Sequence, residues 1–327
     1  MGRGHPGLPQ QIEPAVIRKA DLLRSLKRLD DDQDCRDRVQ RMELEFRRRI
    51  EGHVRSLPLA DATFAKFKTN PFVLLFHALR QGYRHVHQIE QDILPAKLFS
   101  SMETSAGKMV EQVVRPVYGW TDAPSVMHSP NSVLDAMQVR SDVLRLATLK
   151  SGPVCLNDEM SKDIGSDIAA NCVAWARTAG VKKVDFTYGV LYGTKRMSNK
   201  KDWHVLRNLV ERLPSDAVVT VSPAGRWDCA FCRDGVEVEV AVRIGIELWN
   251  HLAESDLAFL EILTALIRAC VPVGPVPTAN ASFTIRDLAA IVSLAGVPDD
   301  YNLGLLQRSQ WEWVFFIARH FCDQMTD

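Results

Sequence analysis

One aspartate and one lysine lie near opposite ends of a segment whose pattern predicts a β-hairpin. The segment, residues 133–153, reads VLDAMQVRSDVLRLATLKSGP. Its centre, Arg140-Ser141-Asp142, is typical of a tight turn. Side chains alternate across a strand, so the second strand places four residues on one face: Leu144, Leu146, Thr148 and Lys150. Burying a lysine at the end of this row is costly without a partner, and Asp135 on the paired strand can be that partner.

A carboxylate beside an amine at the end of a hairpin is the skeleton of a metal-dependent phosphodiesterase site. Cleaving a phosphodiester with water needs an oxygen-rich site for Mg²⁺, a hard cation that binds carboxylates, carbonyls and waters. The ion stabilises the charge that develops on the phosphate and lowers the pKa of a bound water. Lys150 would hold the attacking water. In the other interpretation, Lys150 is a surface lysine at a strand end, paired with Asp135.

Such a site normally needs a second acid, and the residue two positions before the lysine is Thr148 rather than a glutamate. Glu111 is one candidate, because it lies four residues after Gly107 and therefore on the same face of a helix. A glycine there allows a neighbouring backbone to approach closely. Asp158 and Glu159, which open the predicted helix just past the lysine, are the other candidates.

The composition is that of a globular protein without a dominant charge. The 327 residues include 40 Lys+Arg and 40 Asp+Glu, so any DNA-binding surface has to be local. No apolar run approaches the roughly 20 residues of a membrane-spanning helix. The first residues, MGRGHPGLPQQ, lack the apolar core of a signal peptide. We therefore expect a cytoplasmic protein with no membrane contact.

The cysteines do not predict a zinc site. Of the seven, only Cys229 and Cys232 have CxxC spacing, and no second pair completes a tetrahedral set of ligands. We expect two buried thiols in or near a strand.

Strands mixed with flanking helices indicate an α/β (α+β) fold. The predicted strands are residues 133–139, 143–150, 184–192, 217–221 and 236–244. The predicted helices are 104–115, ending before Pro116, and 158–177, closed by Gly180. A Pro/Gly-rich break at 272–282 precedes a helix from Thr284 and a final helix that ends near Cys322. We divide the chain into a helical N-terminal region (1–95), a core (96–255) and a helical C-terminal region (256–327).

A charged helix is predicted over residues 15–57. Its apolar residues recur every three or four positions and form one narrow stripe: Val39, Met42, Phe46, Ile50 and Val54. Such a helix has to pack on something, either its own domain or a second subunit.

Several segments together resemble type II restriction endonucleases of the PD-(D/E)xK superfamily, in particular the group that cuts interrupted palindromes of the GGNCC type. The resemblance covers roughly residues 95–255 and is carried by TSAGKMVEQVVRPVYGW, LDAMQ, LRLATLKSGP, FTYGVLYGT, KKDWHVLRNL and VRIGIELWNHL. It implies that Asp135 binds the metal and that Lys150 is catalytic. Thr148 stands where the family pattern has Glu. Some related enzymes carry a hydroxyl residue there and take the acid from a helix, which favours Glu111 as the second metal ligand.

The resemblance also implies a restriction-endonuclease-like mixed sheet flanked by helices, and a homodimer that binds duplex DNA. Each subunit would cut one strand with Mg²⁺ as cofactor and leave a 5′-phosphate. A two-fold dimer suits a palindrome, because each half-site meets the same surface. The helix over residues 15–57 becomes a candidate dimer contact.

Base edges are read by Arg, Lys, Asn or Gln near such a site. The predicted DNA-binding residues are Asn157 and five residues of the loop GTKRMSNKKDW: Lys195, Arg196, Asn199, Lys200 and Lys201. In the other interpretation this loop is a solubilising turn.

Two other functions remain open. The threonine at position 148 motivates a DNA-binding module of the same fold that lacks cleavage activity. The neutral overall charge is compatible with a non-enzymatic helical interaction protein.

Overall fold

The computed structural model of the chain describes residues 12–56, 71–82, 90–128, 134–215, 217–221, 226–271, 297–298 and 300–326. The predicted break at 272–282 and the helix predicted from Thr284 lie outside the described residues.

A six-stranded mixed sheet forms the centre of the fold. Its strands, in spatial order, are β2 (Ala136–Arg140), β3 (Val143–Lys150), β4 (Lys183–Val190), β7 (Val236–Ile244), β6 (Asp228–Arg233) and β5 (Val219–Val221). β3, β4 and β7 run parallel, and the other neighbours pair antiparallel. A separate two-stranded parallel sheet joins β1 (Val16–Arg18) to β8 (Gln324–Thr326).

Helices cover both faces of the large sheet, which confirms the predicted α/β (α+β) class. They are α1 (Lys19–Asp31), α2 (Gln33–Ser56), α3 (Pro71–Gln81), α4 (Glu90–Val117), α5 (Asp158–Ala179), α6 (Lys201–Arg212), α7 (Ile246–Ala253), α8 (Ala258–Cys270) and α9 (Arg308–Phe321). Of the helices in the described ranges, none is long and apolar enough to cross a lipid bilayer.

The first face of the sheet packs against α5 and α6. Leu144 and Leu146 of β3 both point into this core, as the alternation along the strand predicts. α5 begins at Asn157, whose side chain accepts the Met160 N–H at 2.8 Å, and it ends at Gly180 with a φ of 69°. The predicted helix closed by Gly180 is therefore confirmed.

The second face packs against helices from both ends of the chain. α2 contacts both α4 and α8, and Ala147 and Leu149 of β3 belong to the same core. Val39, Met42 and Phe46 of the α2 stripe are fully buried there, and Ile50 packs against them. These four residues therefore pack within their own chain and are not available to a second subunit, while the Val54 side chain lies outside the described part of the chain.

Two of the predicted helices have different bounds. Of the region predicted as one helix over 15–57, residues 16–56 contain β1, α1 and α2 instead. The helix predicted at 104–115 extends from Glu90 to Val117 and includes Pro116. A proline in the last turn removes only one backbone N–H, and this proline is exposed, so the helix does not end before it.

Cys229 and Cys232 lie on β6, a strand that the sequence pattern did not predict. Cys229 is buried, but Cys232 is exposed, so the expectation of two buried thiols is wrong for the second. Residues three apart on a strand point to opposite faces, which separates the two sulfur atoms.

A buried ion pair in the second core joins α8 to α2, and a tyrosine just past α4 bonds to the same carboxylate. The Glu261 side chain on α8 has no exposed surface and accepts two hydrogen bonds from Arg38 on α2, at 2.7 and 2.8 Å. The Tyr118 hydroxyl, just past α4, donates to the same carboxylate at 2.8 Å. Removing one member would leave its partners buried without a counterpart.

We therefore expect Glu261→Ala to lower the free energy of unfolding by about 3–5 kcal/mol, measured by urea denaturation. Glu211→Ala is the matched control, because Glu211 forms an exposed pair with Arg207 one helical turn away. The control should change the free energy by less than about 1 kcal/mol. Equal effects of the two substitutions would contradict a special role for the buried pair.

Candidate active site

A two-residue turn sets the register of the β2–β3 hairpin. Ser141 and Asp142 both have left-handed backbone conformations, with φ of 50° and 61°, which is the geometry of a tight hairpin turn. The resulting register pairs Ala136 with Ala147. The predicted hairpin is confirmed, and its open end brings the start of β2 to the end of β3.

Asp135 is bonded to the end of β3 through both its backbone and its side chain. Its N–H donates to the Ala147 carbonyl at 2.9 Å. One carboxylate oxygen accepts the Leu149 N–H at 2.7 Å, which places the aspartate beside the residue that precedes Lys150. Leu134 packs in the core against α5 and α6, whereas Ala136 packs in the core on the other face of the sheet. Residues two apart on a regular strand share a face, so the alternation of side chains is interrupted at Asp135.

Gly107 allows α4 to reach the same strand end. A Cβ atom at this position would lie 2.7 Å from the Ser151 Cβ, closer than two carbon atoms can pack. Ser151 follows Lys150 directly, and Glu111 lies one helical turn beyond the glycine. The expectation that a glycine permits this close approach is therefore confirmed.

The charges of Glu111, Asp135 and Lys150 influence one another at this point. Partial burial, followed by the negative charge of Asp135, raises the pKa of Glu111 to about 7, while Arg115, Lys150 and Lys108 act in the opposite direction. Burial also raises the pKa of Asp135, against the effects of the Leu149 N–H and of Lys150 and Arg115. The structure thus brings the three predicted residues to one end of the sheet.

The two carboxylates suit a hard divalent cation. The Glu111 carboxylate accepts no hydrogen bond within the described part of the chain, and Asp135 uses one oxygen for the Leu149 N–H. Ionised carboxylates in such a position need a positive partner. Within the described ranges there is no group of three or more His, Cys, Asp or Glu residues that could hold a metal. Mg²⁺, however, is commonly bound by one or two carboxylates together with waters and substrate phosphates.

The other candidate acids lie apart from this pair. Asp158 forms a 2.5 Å ion pair with Lys201, and Glu159 is exposed in the first turn of α5. α5 packs on the opposite face of the sheet from α4. Thr148 is fully buried within β3. Glu111 is therefore the candidate acid whose charge interacts with Asp135.

The predicted DNA-binding loop adjoins the site, but most of its polar side chains have partners within the protein. Lys195 pairs with Glu247 at 2.9 Å, the Lys200 ammonium donates to the Lys195 carbonyl, and Lys201 pairs with Asp158. The Asn199 side chain donates to the Leu156 carbonyl, and Asn157 caps α5.

Arg196 differs from its neighbours in this loop. It is exposed and forms no ion pair with any described residue. The loop itself contacts the segment after Lys150, because Gly193 packs on Pro153 and the Asn199 N–H donates to the Pro153 carbonyl at 3.4 Å.

Two residues near the site were not predicted from the sequence. Lys108 is exposed, forms no ion pair among the described residues and lies one helical turn before Glu111. Arg115 lies one turn after Glu111, and its guanidinium contacts the start of β2. Their spacing from Glu111, i−3 for Lys108 and i+4 for Arg115, is the sequence signal that relates both residues to the site.

The raised pKa of Glu111 predicts a pH-dependent stability in the absence of divalent ions. The carboxyl is protonated in both folded and unfolded chains below its ordinary pKa of 4.5, and it is ionised in both above about 7. Between these values the unfolded chain releases the proton more readily, so the free energy of unfolding should fall as the pH rises. Glu111→Gln should flatten this part of the profile and be more stable than the unmodified protein at pH 8.

The measurement is urea unfolding from pH 4 to 8 in the presence of a chelator. Glu159→Gln, which changes an exposed carboxyl of α5, should leave the profile unchanged in shape. If the free energy of unfolding of Glu111→Gln falls with pH as steeply as that of the unmodified protein, the Glu111 carboxyl does not titrate as described.

No protein-family model matches the chain, and no curated protein matches it either. The function therefore has to be inferred from the chemistry of Glu111, Asp135 and Lys150.

Proposed function

We propose that the protein is a Mg²⁺-dependent endonuclease that hydrolyses phosphodiester bonds of duplex DNA at a specific palindromic site and leaves 5′-phosphates. The observation that carries this proposal is that two half-buried carboxylates, Glu111 and Asp135, lie at the same end of the sheet as the lysine that ends β3. The resemblance of residues 95–255 to type II restriction endonucleases of the PD-(D/E)xK superfamily, seen in the sequence, supports the same function.

The three side chains have separate roles in this proposal. Glu111 and Asp135 would hold Mg²⁺, which when bound stabilises charge on the scissile phosphate and lowers the pKa of a bound water. Lys150 would orient the attacking water and offset the negative charge of the carboxylates and the phosphate. The bond from the Leu149 N–H to Asp135 keeps that carboxylate at the end of β3, one residue before the lysine. Such positioning is what a hydrolytic site requires of its protein groups.

The DNA partner would be bound by local charge rather than by the overall field, because the chain carries no net charge. Lys108 and Arg196 are available to contact phosphates, since neither forms an ion pair with a described residue. Cutting both strands of a palindrome would be performed by a homodimer with two such sites. Its contact would use a surface other than the buried stripe of α2.

A DNA-binding module without cleavage activity is the second candidate. The observation that favours it is the fully buried Thr148 at the position where the superfamily pattern has a glutamate. In this case DNA would be bound at the same end of the sheet without being cut.

Cleavage of supercoiled plasmid in the presence of Mg²⁺ tests the proposed activity. We expect discrete fragments from the unmodified protein, and at least about 100-fold slower cleavage by Lys150→Ala, Asp135→Asn and Glu111→Ala, because each removes a group that acts on the metal or the water. Glu159→Ala is the matched control and should cut at nearly the normal rate. Sequencing of the fragment ends would give the site and the cut position.

Binding without nicks in either Mg²⁺ or Mn²⁺ would favour the second candidate. If the protein shows no preference for duplex DNA, both the endonuclease and the DNA-binding module are contradicted. Equal losses in Glu111→Ala and Glu159→Ala would contradict the role of Glu111 as the second acid.

Charge reversal tests the proposed DNA-binding surface. In the double variant Lys108→Glu/Arg196→Glu, we expect duplex DNA to bind more weakly and the salt dependence of log K to become shallower by about 4 for the proposed homodimer, roughly one unit for each of its four lost phosphate contacts. The measurement is fluorescence anisotropy across a salt series without divalent metal.

Lys182→Glu is the control for this experiment. Lys182 is exposed and precedes β4, whose first residue pairs with Val143 at the end of the sheet opposite Lys150. The same loss of affinity and slope in this variant would mean that DNA does not bind preferentially at the candidate site.

A further inference from the structure

Arg115 contacts the backbone of both candidate metal ligands. It lies in the last turn of α4, and its side chain is only 11% exposed. The guanidinium donates through Nη1 to the Asp135 carbonyl and through Nε to the Glu111 carbonyl, the latter at 3.2 Å. The remaining nitrogen, Nη2, lies 2.9 Å from the Asp122 carboxylate. One planar group thus connects the helix that carries one acid to the residue that carries the other.

Other bonds already hold the end of α4 near β2. The Gln138 side chain donates to the Tyr118 carbonyl at 3.1 Å, and the backbones of Thr121 and Met137 exchange two hydrogen bonds, at 2.8 and 2.9 Å. These links attach the segment after α4 to the middle of β2. Among these bonds between described residues, the link through Arg115 reaches the start of β2, next to Asp135.

We propose that Arg115 is a positioning residue that sets the relative placement of the Glu111 and Asp135 carboxylates so that they bind one divalent cation together. This inference deepens the proposed function and rests on it. Arg115 uses main-chain carbonyls of the two residues, so both of their carboxylates stay available to the cation. Its positive charge also reduces the repulsion between them, as the pKa of each carboxyl reflects.

The forked shape of the guanidinium is essential to this role. Arginine presents several N–H donors in a rigid plane and can bond to separate acceptors at once, whereas a lysine ammonium is a compact point charge on a flexible stem. Arg115→Lys keeps the charge but does not reproduce the three contacts. Comparison of Arg115→Lys with Arg115→Gln therefore separates geometry from charge.

The test is isothermal calorimetry of the full-length chain with Mg²⁺ in the absence of DNA, with cleavage measured in parallel as a function of Mg²⁺ concentration. We expect Arg115→Gln to weaken Mg²⁺ binding by about 10- to 100-fold, as the loss of a group that orients metal ligands typically does. Arg115→Lys should weaken it nearly as much. The Mg²⁺ concentration for half-maximal cleavage should rise in parallel.

Arg268→Gln is the matched control for general damage to the fold. Arg268 is also a partly buried arginine that bonds to a carboxylate, Glu43 at 2.6 Å, and to a distant carbonyl, Leu305 at 2.6 Å. The Arg268→Gln variant should lower the urea midpoint without changing the affinity for Mg²⁺.

Asp122→Asn is a second variant for the site, because Asp122 is 87% exposed and its replacement leaves the core intact. It should weaken Mg²⁺ binding by about threefold.

Unchanged Mg²⁺ affinity in folded Arg115→Gln, or full rescue by lysine, would overturn the positioning role while leaving the proposed nuclease intact. If Arg115→Gln does not fold, unchanged affinity in Asp122→Asn would overturn it. Absence of Mg²⁺ binding by the unmodified protein would overturn both the inference and the proposed function. Weakened binding in Arg115→Gln by a protein that does not cut DNA would support the inference and reject the activity.

Discussion

A single hydrogen bond, from the Leu149 N–H to the Asp135 carboxylate, determines where the candidate site lies. It joins the residue before β2 to the end of β3 at 2.7 Å, one residue before Lys150. The bond forms only in the observed register, in which Ala136 pairs with Ala147. A shift by one residue would turn the apolar side chains of β3 to the wrong faces, so the two cores stabilise the register. The geometry of the site therefore depends on packing throughout the sheet.

The second acid depends on a different constraint, the close approach of α4 to the strand end. Gly107 removes the side chain that would collide with Ser151, and the buried pair of Glu261 and Arg38 anchors α8 to α2 in the core that α4 joins. The approach places two carboxylates close enough to repel each other, which disfavours folding with both ionised. A rigid frame that maintains an unfavourable pair is typical of sites that bind a cation or perform chemistry.

Much of the frame was predictable from the sequence. The hairpin, β7, the alternation along β3 and the capped helix α5 follow from local periodicity and turn chemistry, and Gly107 indicated the close approach of α4. The strand β6 and the division of residues 15–57 were not predicted, because short apolar runs and charged helices carry weak periodic signals. The ion-pair partners of Lys195 and Lys201 are Glu247 and Asp158, which are distant in sequence. The sequence alone therefore could not show whether the lysines of this loop are free to bind DNA or paired within the protein.

The raised pKa of Glu111 has a consequence for how the site would acquire its ion. Near neutral pH a substantial fraction of this carboxyl holds a proton, so the proposed divalent cation would have to displace hydrogen ions in order to bind. Occupancy would then be a competition between two cations for the same oxygens, and acidification by one pH unit would weaken uptake by up to about tenfold. The site would thus be filled or emptied by cellular acidity as well as by the supply of metal.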